Sequence, residues 1–147
     1  MKLNDVVACV RGDVIGTKLI TVRPEESLST VAIQMRHYDV GAVVVVEGQK
    51  PVGMVTDRDL ALALGAQDAS PQDAVKRVMT TPVRTVPDGA GIFAATQCMR
   101  DAKVRRLPIV DEDGRLVGIV SLDDLMWLLG REVYNLADGI KHQTKLK

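Results

Sequence analysis

VGMVTDRDL, from Val52 to Leu60, and VGIVSLDDL, from Val117 to Leu125, are one sentence written twice in a chain of 147 residues. Each copy carries a hydroxyl residue, two spacers and an aspartate: Thr56 and Asp59 in the first, Ser121 and Asp124 in the second. The likeness extends outward. VIGTKLITV (Val14–Val22) falls on VMTTPVRTV (Val78–Val86) at an offset of 64, as do Met35-Arg36 on Met99-Arg100 and Val46 on Val110. From Val52 onward the offset is 65 and holds through Gly65 and Gly130. The extra residue therefore lies between Val110 and Val117, in DEDGRL against EGQKP. A gap confined to a turn is what a structural duplication tolerates.

Both copies follow the same grammar. LITV and VRTV are short, β-branched and strand-like. Leu28, Val31, Ala32 and Met35 recur at helical spacing, as do Ile92, Ala95 and Met99. GAVVVV and RLPIV are apolar runs suited to a strand buried on both faces. After a polar turn, VGMV and VGIV read as hairpin partners. DRDLALALG and LDDLMWLLG then read as helices that Gly65 and Gly130 close. Each repeat is thus β-α-β-β-α, an α/β (α+β) unit too small to bury two helices on three strands alone. Packing the copies sheet to sheet completes a core and creates a pseudo-two-fold axis with a cleft on each side.

This reading divides the chain into a helical segment at 1–13, a first repeat at 14–65, a linker at 66–77, a second repeat at 78–130 and a tail at 131–147. In the linker, Ser70 and Pro71 predict a short helix with Ser70 as N-cap. The tail IKHQTKLK is basic and predicted to fray.

Composition narrows the function classes. Hydrophobic residues make up 46% and aromatics 3%, so the core is aliphatic. Charged residues make up 26% with a formal net charge of zero, which argues against a nucleic-acid binder relying on a broad basic field. Cys9 and Cys98 lie far apart, with no zinc or disulfide pattern. No apolar stretch has the length of a signal-peptide core or a membrane span. The expectation is a cytoplasmic protein that binds neither nucleic acid nor membrane.

The repeated hydroxyl-x-x-aspartate has two readings. On spacing alone a helix capping box is the better one, and Ser70-Pro71-Gln72-Asp73 has the same spacing with no functional implication. The context favours a ligand. The motif follows a strand directly, and Gly53 or Gly118 stands three residues before the hydroxyl, where glycine weakens a strand unless something must come close. A helix start presents free N–H groups and a positive dipole end, which suits phosphate. An aspartate there can accept from two ribose hydroxyls. Arg105 and Arg106, ahead of LPIV, would suit a phosphate chain, whereas the first copy has Gly41 and Ala42 at that place.

With VMTTPVRTV, RLPIVD, GMVTDRD and GIVSLDD in this order and duplicated, the chain resembles a tandem pair of cystathionine-β-synthase (CBS) domains, a Bateman module, over about Val14 to Gly130. The resemblance implies a non-enzymatic regulatory module that binds an adenosine derivative. AMP, ADP or ATP is the expected regulatory ligand, with S-adenosylmethionine or NAD(H) as alternatives and a purely structural dimerisation module as another. It also implies a homodimer of such pairs and an unidentified effector protein. Carried over by residue, Asp59 and Asp124 would hold ribose hydroxyls, and Thr56 and Ser121 would contact ribose or phosphate. Thr17 and Ile20 would serve the Asp124 cleft, and Thr81 and Arg84 the Asp59 cleft. Val40, Gly41, Val104, Arg105 and Arg106 would line the space between. No further cofactor and no metal is required, since Asp57 and Asp123 are not aligned positions. His37 and His142 read as surface histidines, and no nucleophile is paired with a base. The run Leu125 to Leu129, with Trp127, is apolar all round a helix and reads as part of a homodimer contact.

Overall fold

A computed structural model describes residues 18–144, without the side chains of 142–144. Thr17, Cys9 and the expected helical segment at 1–13 lie outside the described residues, as does the side chain of His142. The first repeat runs β1 (Thr21–Val22), α1 (Leu28–Tyr38), β2 (Ala42–Glu47), β3 (Lys50–Thr56) and α2 (Asp57–Gly65). The second runs β4 (Val86–Pro87), α3 (Ile92–Ala102), β5 (Arg106–Val110), β6 (Leu116–Ser121) and α4 (Leu122–Thr144). Both expected β-α-β-β-α units are present, each with a three-stranded sheet ordered as its strands occur in sequence. In each sheet the first pair is parallel and the second antiparallel. The opening strands are shorter than LITV and VRTV.

Two hairpin turns differ by the residue that separates the copies. The first is a two-residue loop, Gly48-Gln49, between paired Glu47 and Lys50, with Gly48 at φ +61°. A first central glycine with positive φ matches the strand twist. The second spans Asp111 to Arg115, where the Asp111 carboxylate accepts the N–H of Asp113 at 3.0 Å and of Arg115 at 2.8 Å. Both hairpins also shift register at the same place, between Val45 and Val46 and between Ile109 and Val110. Val52 and Val117 therefore have no ladder partner, and each directly precedes the glycine of its motif.

The apolar runs are buried as their patterns predict. In β2 every residue from Ala42 to Val46 is buried. Val43 and Val45 face a core with Leu28, Val31, Met35, Val55 and Leu60. Val44 and Val46 face the other way, into a cluster with Ile119 of β6, flanked by Leu19, Met54 and Leu116. That cluster joins the sheets of the two repeats. Leu107, Ile109, Met99, Leu125 and Leu128 belong to the core of the second repeat.

Three local expectations are corrected. The linker has no α-helix begun by Ser70; it is a turn followed by one 3-10 turn, Val75–Arg77. The Pro71 and Asp73 carbonyls, which such a helix would use, instead accept the N–H groups of Ser29 and Leu28 at 2.9 and 3.0 Å. The linker thus caps the free N-terminus of α1. Gly130 does not end its helix. α4 continues through it for 23 residues in all, so the tail is helical to Thr144 and not frayed from Ile140. No proline follows Gly130, and one glycine costs a helix only about 1 kcal/mol. Gly65 is the last residue of α2, but the left-handed position after it belongs to Gln67, at φ 61°. Gln67 N–H donates to the Leu64 carbonyl and Asp68 N–H to Ala63, a Schellman closure without glycine.

Candidate functional site

Both hydroxyl-x-x-aspartate motifs form complete capping boxes. Asp59 Oδ2 accepts the Thr56 backbone N–H at 2.8 Å and the Thr56 hydroxyl at 2.8 Å, while Thr56 Oγ1 accepts the Asp59 N–H at 3.1 Å. In the second copy Asp124 Oδ2 accepts the Ser121 N–H at 2.8 Å, and Ser121 Oγ accepts the Asp124 N–H at 3.1 Å. The reason is local. The strand ends at the hydroxyl residue, the helix starts at the next, and each box satisfies two N–H groups left over at that junction.

The two boxes differ in access. Ser121 and Asp124 are buried, at 5% and 7% exposure. Thr56 and Asp59 are half-buried, and every hydrogen bond to the Asp59 side chain falls on Oδ2. Asp59 Oδ1 therefore remains available at the start of α2.

Cross-repeat contacts bring the second copy onto the first. Met54 and Thr80 exchange backbone hydrogen bonds, Met54 N–H to Thr80 O at 3.2 Å and Thr80 N–H to Met54 O at 2.8 Å. This isolated antiparallel bridge lays the chain leading to β4 along β3. The Thr81 hydroxyl donates to the Val52 carbonyl at 3.0 Å. Val52 is the residue its hairpin leaves out of the ladder, so Thr81 supplies the partner the bulge removed. Because the bridge is antiparallel, Thr81 stands at the Val52 end of β3, away from Thr56. Arg84 is exposed and makes no ion pair among the described residues.

Gly53 is the close-approach position its sequence context predicts, and the neighbour is the chain itself. A Cβ on Gly53 would come within 2.9 Å of Met79 Cγ and closer still to its sulfur. Met79 is the residue the sequence reading missed. It belongs to the VMTT run, and its thioether fills the space above the bulge.

The arginines divide. Arg105 pairs with Asp123 of its own repeat at 3.0 Å, both side chains exposed, and such a pair contributes little. Arg106 reaches the first repeat. Its Nη2 lies 3.5 Å from where a Gly41 Cβ would be, and the Asp57 carboxylate lies 3.3 Å from that point. Gly41 O also accepts the Asp57 N–H at 3.0 Å. A guanidinium of the second repeat thus stands at the N-terminus of α2, two residues from Asp59. No side chain at Gly41 blocks it, and no ion pair within the described residues holds Arg106. In the equivalent place of the second copy Arg105 O accepts the Leu122 N–H at 2.8 Å. The residue matching Arg106 in the first copy is Ala42.

Ile20 and Val40 pack on the first core and Val104 on the second. His37 packs edge-on against Tyr38, with ring centroids 4.7 Å apart. Among the described residues no group of three or more His, Cys, Asp and Glu could hold a metal ion. No helix of the described residues is long and apolar enough to cross a membrane.

Comparison with known proteins agrees with this architecture. The chain is 41% identical over 113 residues to the CBS domain-containing protein YhcV of Bacillus subtilis, covering 77% of this chain and 80% of YhcV. It is 38% identical over 117 residues to the uncharacterized protein MK0525 of Methanopyrus kandleri, covering 78% of this chain but 60% of that one. Among solved structures, the CBS domain pair of protein MJ0100, in complex with 5′-methylthioadenosine and S-adenosyl-L-methionine, superposes with a TM-score of 0.75. The two are 25% identical, with 90% of this chain and 98% of that chain covered. The cytosolic domain of the Mg2+ channel MgtE, in complex with ATP, superposes with a TM-score of 0.65 at 28% identity, covering 76% of this chain and 45% of that one. The CBS domain model matches twice, at residues 10–66 and 75–131, and the chain belongs to the CBS domain family.

Proposed function

We propose that this protein is a regulatory module that takes a phosphate-bearing adenosine derivative, AMP, ADP or ATP, in the cleft at Asp59 and passes its occupancy to an effector protein. The observation that carries this reading is the Arg106 guanidinium, which the second repeat brings to the start of α2 beside Gly41. There it stands at the positive end of a helix that also carries Asp59, a combination suited to one ribose and one phosphate group. The Arg side chain gives a planar, permanently charged donor for the phosphate. Two structural relatives with adenosine derivatives bound, MJ0100 and MgtE, support the ligand class.

Isothermal titration of ligand-stripped protein with AMP, ADP, ATP, S-adenosylmethionine and NAD(H) tests this. Binding by at least one nucleotide is expected, with loss of one site in Asp59→Ala and of the other in Asp124→Ala. Arg106→Ala is expected to weaken ATP and AMP at the Asp59 site about tenfold or more, as for a charge-assisted hydrogen bond of 1.5–3 kcal/mol. No heat and no thermal shift with any of these compounds would sink the reading. It would leave the capping boxes, complete with no ligand present, as the whole role of the motif.

A further inference from the structure

Gly41 marks a point where opposite charges from the two repeats meet. The three heavy atoms nearest to a Cβ built there are Asp57 Oδ2 at 3.3 Å, Arg106 Nη2 at 3.5 Å and the Asp57 carboxyl carbon at 3.7 Å. No second cation of the described residues stands as near. The carboxylate is fixed from its own helix. Asp57 Oδ1 accepts the Arg58 N–H at 2.8 Å, and the Asp57 N–H donates to the Gly41 carbonyl at 3.0 Å.

The backbone junction does not require an acid at this place. In the second repeat Leu122 stands where Asp57 stands, and its N–H donates to the Arg105 carbonyl at 2.8 Å in the same way. Nor does the positive end of α2 call for Asp57, since Asp59 already lies in its first turn. The equivalents of Asp57 and Arg106 in the other copy are Leu122 and Ala42, so the two charges occur together at one place and are both replaced at its counterpart. A carboxylate beside a phosphate-binding arginine lowers the local positive potential. Its repulsion of a ligand grows with every negative charge that the ligand brings.

We propose that Asp57 sets the phosphate count at the Asp59 cleft, so that the site takes adenosine monophosphate in preference to the triphosphate. The inference rests on the nucleotide reading above and names the ligand within it. Arg106 offers one charge to one phosphate group, and Asp57 acts against the further charge of a longer chain. Asp57 is exposed, so water and salt weaken this repulsion without abolishing it.

Titration calorimetry with adenosine, AMP, ADP and ATP, free of divalent cations and read at the site that Asp59→Ala removes, tests it. The wild-type protein is expected to bind AMP more tightly than ADP, and ADP more tightly than ATP. Asp57→Asn keeps the size of the side chain and an acceptor for the Arg58 N–H but loses the charge. It should tighten AMP about threefold and ATP about tenfold, and leave adenosine unchanged. The gain should shrink in about 1 M salt, where the screening length falls to about 3 Å. Asp57→Glu retains the charge and should keep the wild-type order. A wild-type protein that binds ATP as tightly as AMP overturns this inference alone. So does an order that Asp57→Asn leaves unchanged while the melting temperature moves, since Asp57 is then only an acid at a helix start. Failure of all four ligands to bind overturns the nucleotide reading and this inference with it.

Discussion

Asp59 commits one carboxylate oxygen to its helix. Its Oδ2 completes the cap with Thr56, and Oδ1 takes no part in it. Removing it should therefore lower stability by about 1 kcal/mol, the worth of a cap, as well as abolish a ligand site. Asp59→Asn separates the two effects in thermal melts and titration, because an amide keeps the cap's acceptor oxygen but lacks the charge. Gly53 makes a sharper case. A methyl group there must push Met79 aside, so Gly53→Ala should cost 1–3 kcal/mol, as overpacking does. Adding Met79→Ala should remove most of that penalty in a double-mutant cycle followed by urea unfolding. Additive costs would show that the two residues are not in contact. The duplicated glycine was visible in the sequence as a close-approach position. Which atom approaches was not, because Met79 is 26 positions away and meets Gly53 only through the bridge at Met54 and Thr80.

Helices and turns are where local rules met tertiary competition. The buried stripes on α1 and α3 follow the spacings read from the sequence, except that Ala32 is exposed. Both helices end on a non-glycine residue in the left-handed region, Asp39 at φ 54° and Lys103 at φ 55°. Lys103→Gly should raise stability by about 1 kcal/mol by relieving the Cβ penalty, seen as a higher melting temperature. An unchanged or lower value would contradict the assigned backbone. In the second hairpin the Asp111 carboxyl is held below its ordinary value of 3.8, first by the Arg115 backbone N–H and then by the Arg115 side chain. A depressed folded value means that this contribution is present above the ordinary value and lost as pH falls through the folded one. Melting temperature should therefore decline on acidification below 3.8, and the decline should be shallower in Asp111→Asn. Ser70 misled because its cap-like spacing says nothing about which carbonyls the neighbouring helix will claim.

Across the whole molecule the two repeats share one apolar layer. Val44, Val46 and Ile119 join the sheets, and the Leu116 N–H donates to the Gln49 carbonyl at 2.8 Å. Trp127, the single tryptophan, packs on the second core, while far-ultraviolet dichroism reports both repeats. The two signals should unfold together in urea. Separate midpoints would show that the repeats melt independently. Ile119→Ala should cost about 2–5 kcal/mol and, on the proposed reading, also weaken ligand binding, since Arg106 reaches Gly41 only with both repeats in register.

The duplication, the β-α-β-β-α order, the doubly buried β2 and the two capping boxes were all legible in the sequence, because period, β-branching and cap spacing act over a few residues. Tertiary structure alone decided that Pro71 and Asp73 cap α1, that Thr81 supplies the partner missing at Val52, and that Arg106 crosses to Gly41 while Arg105 stays with Asp123. It also carried α4 past Gly130. These outcomes depend on which hydrogen-bonding groups and charges meet after two distant stretches of chain have packed, and no local pattern encodes that meeting.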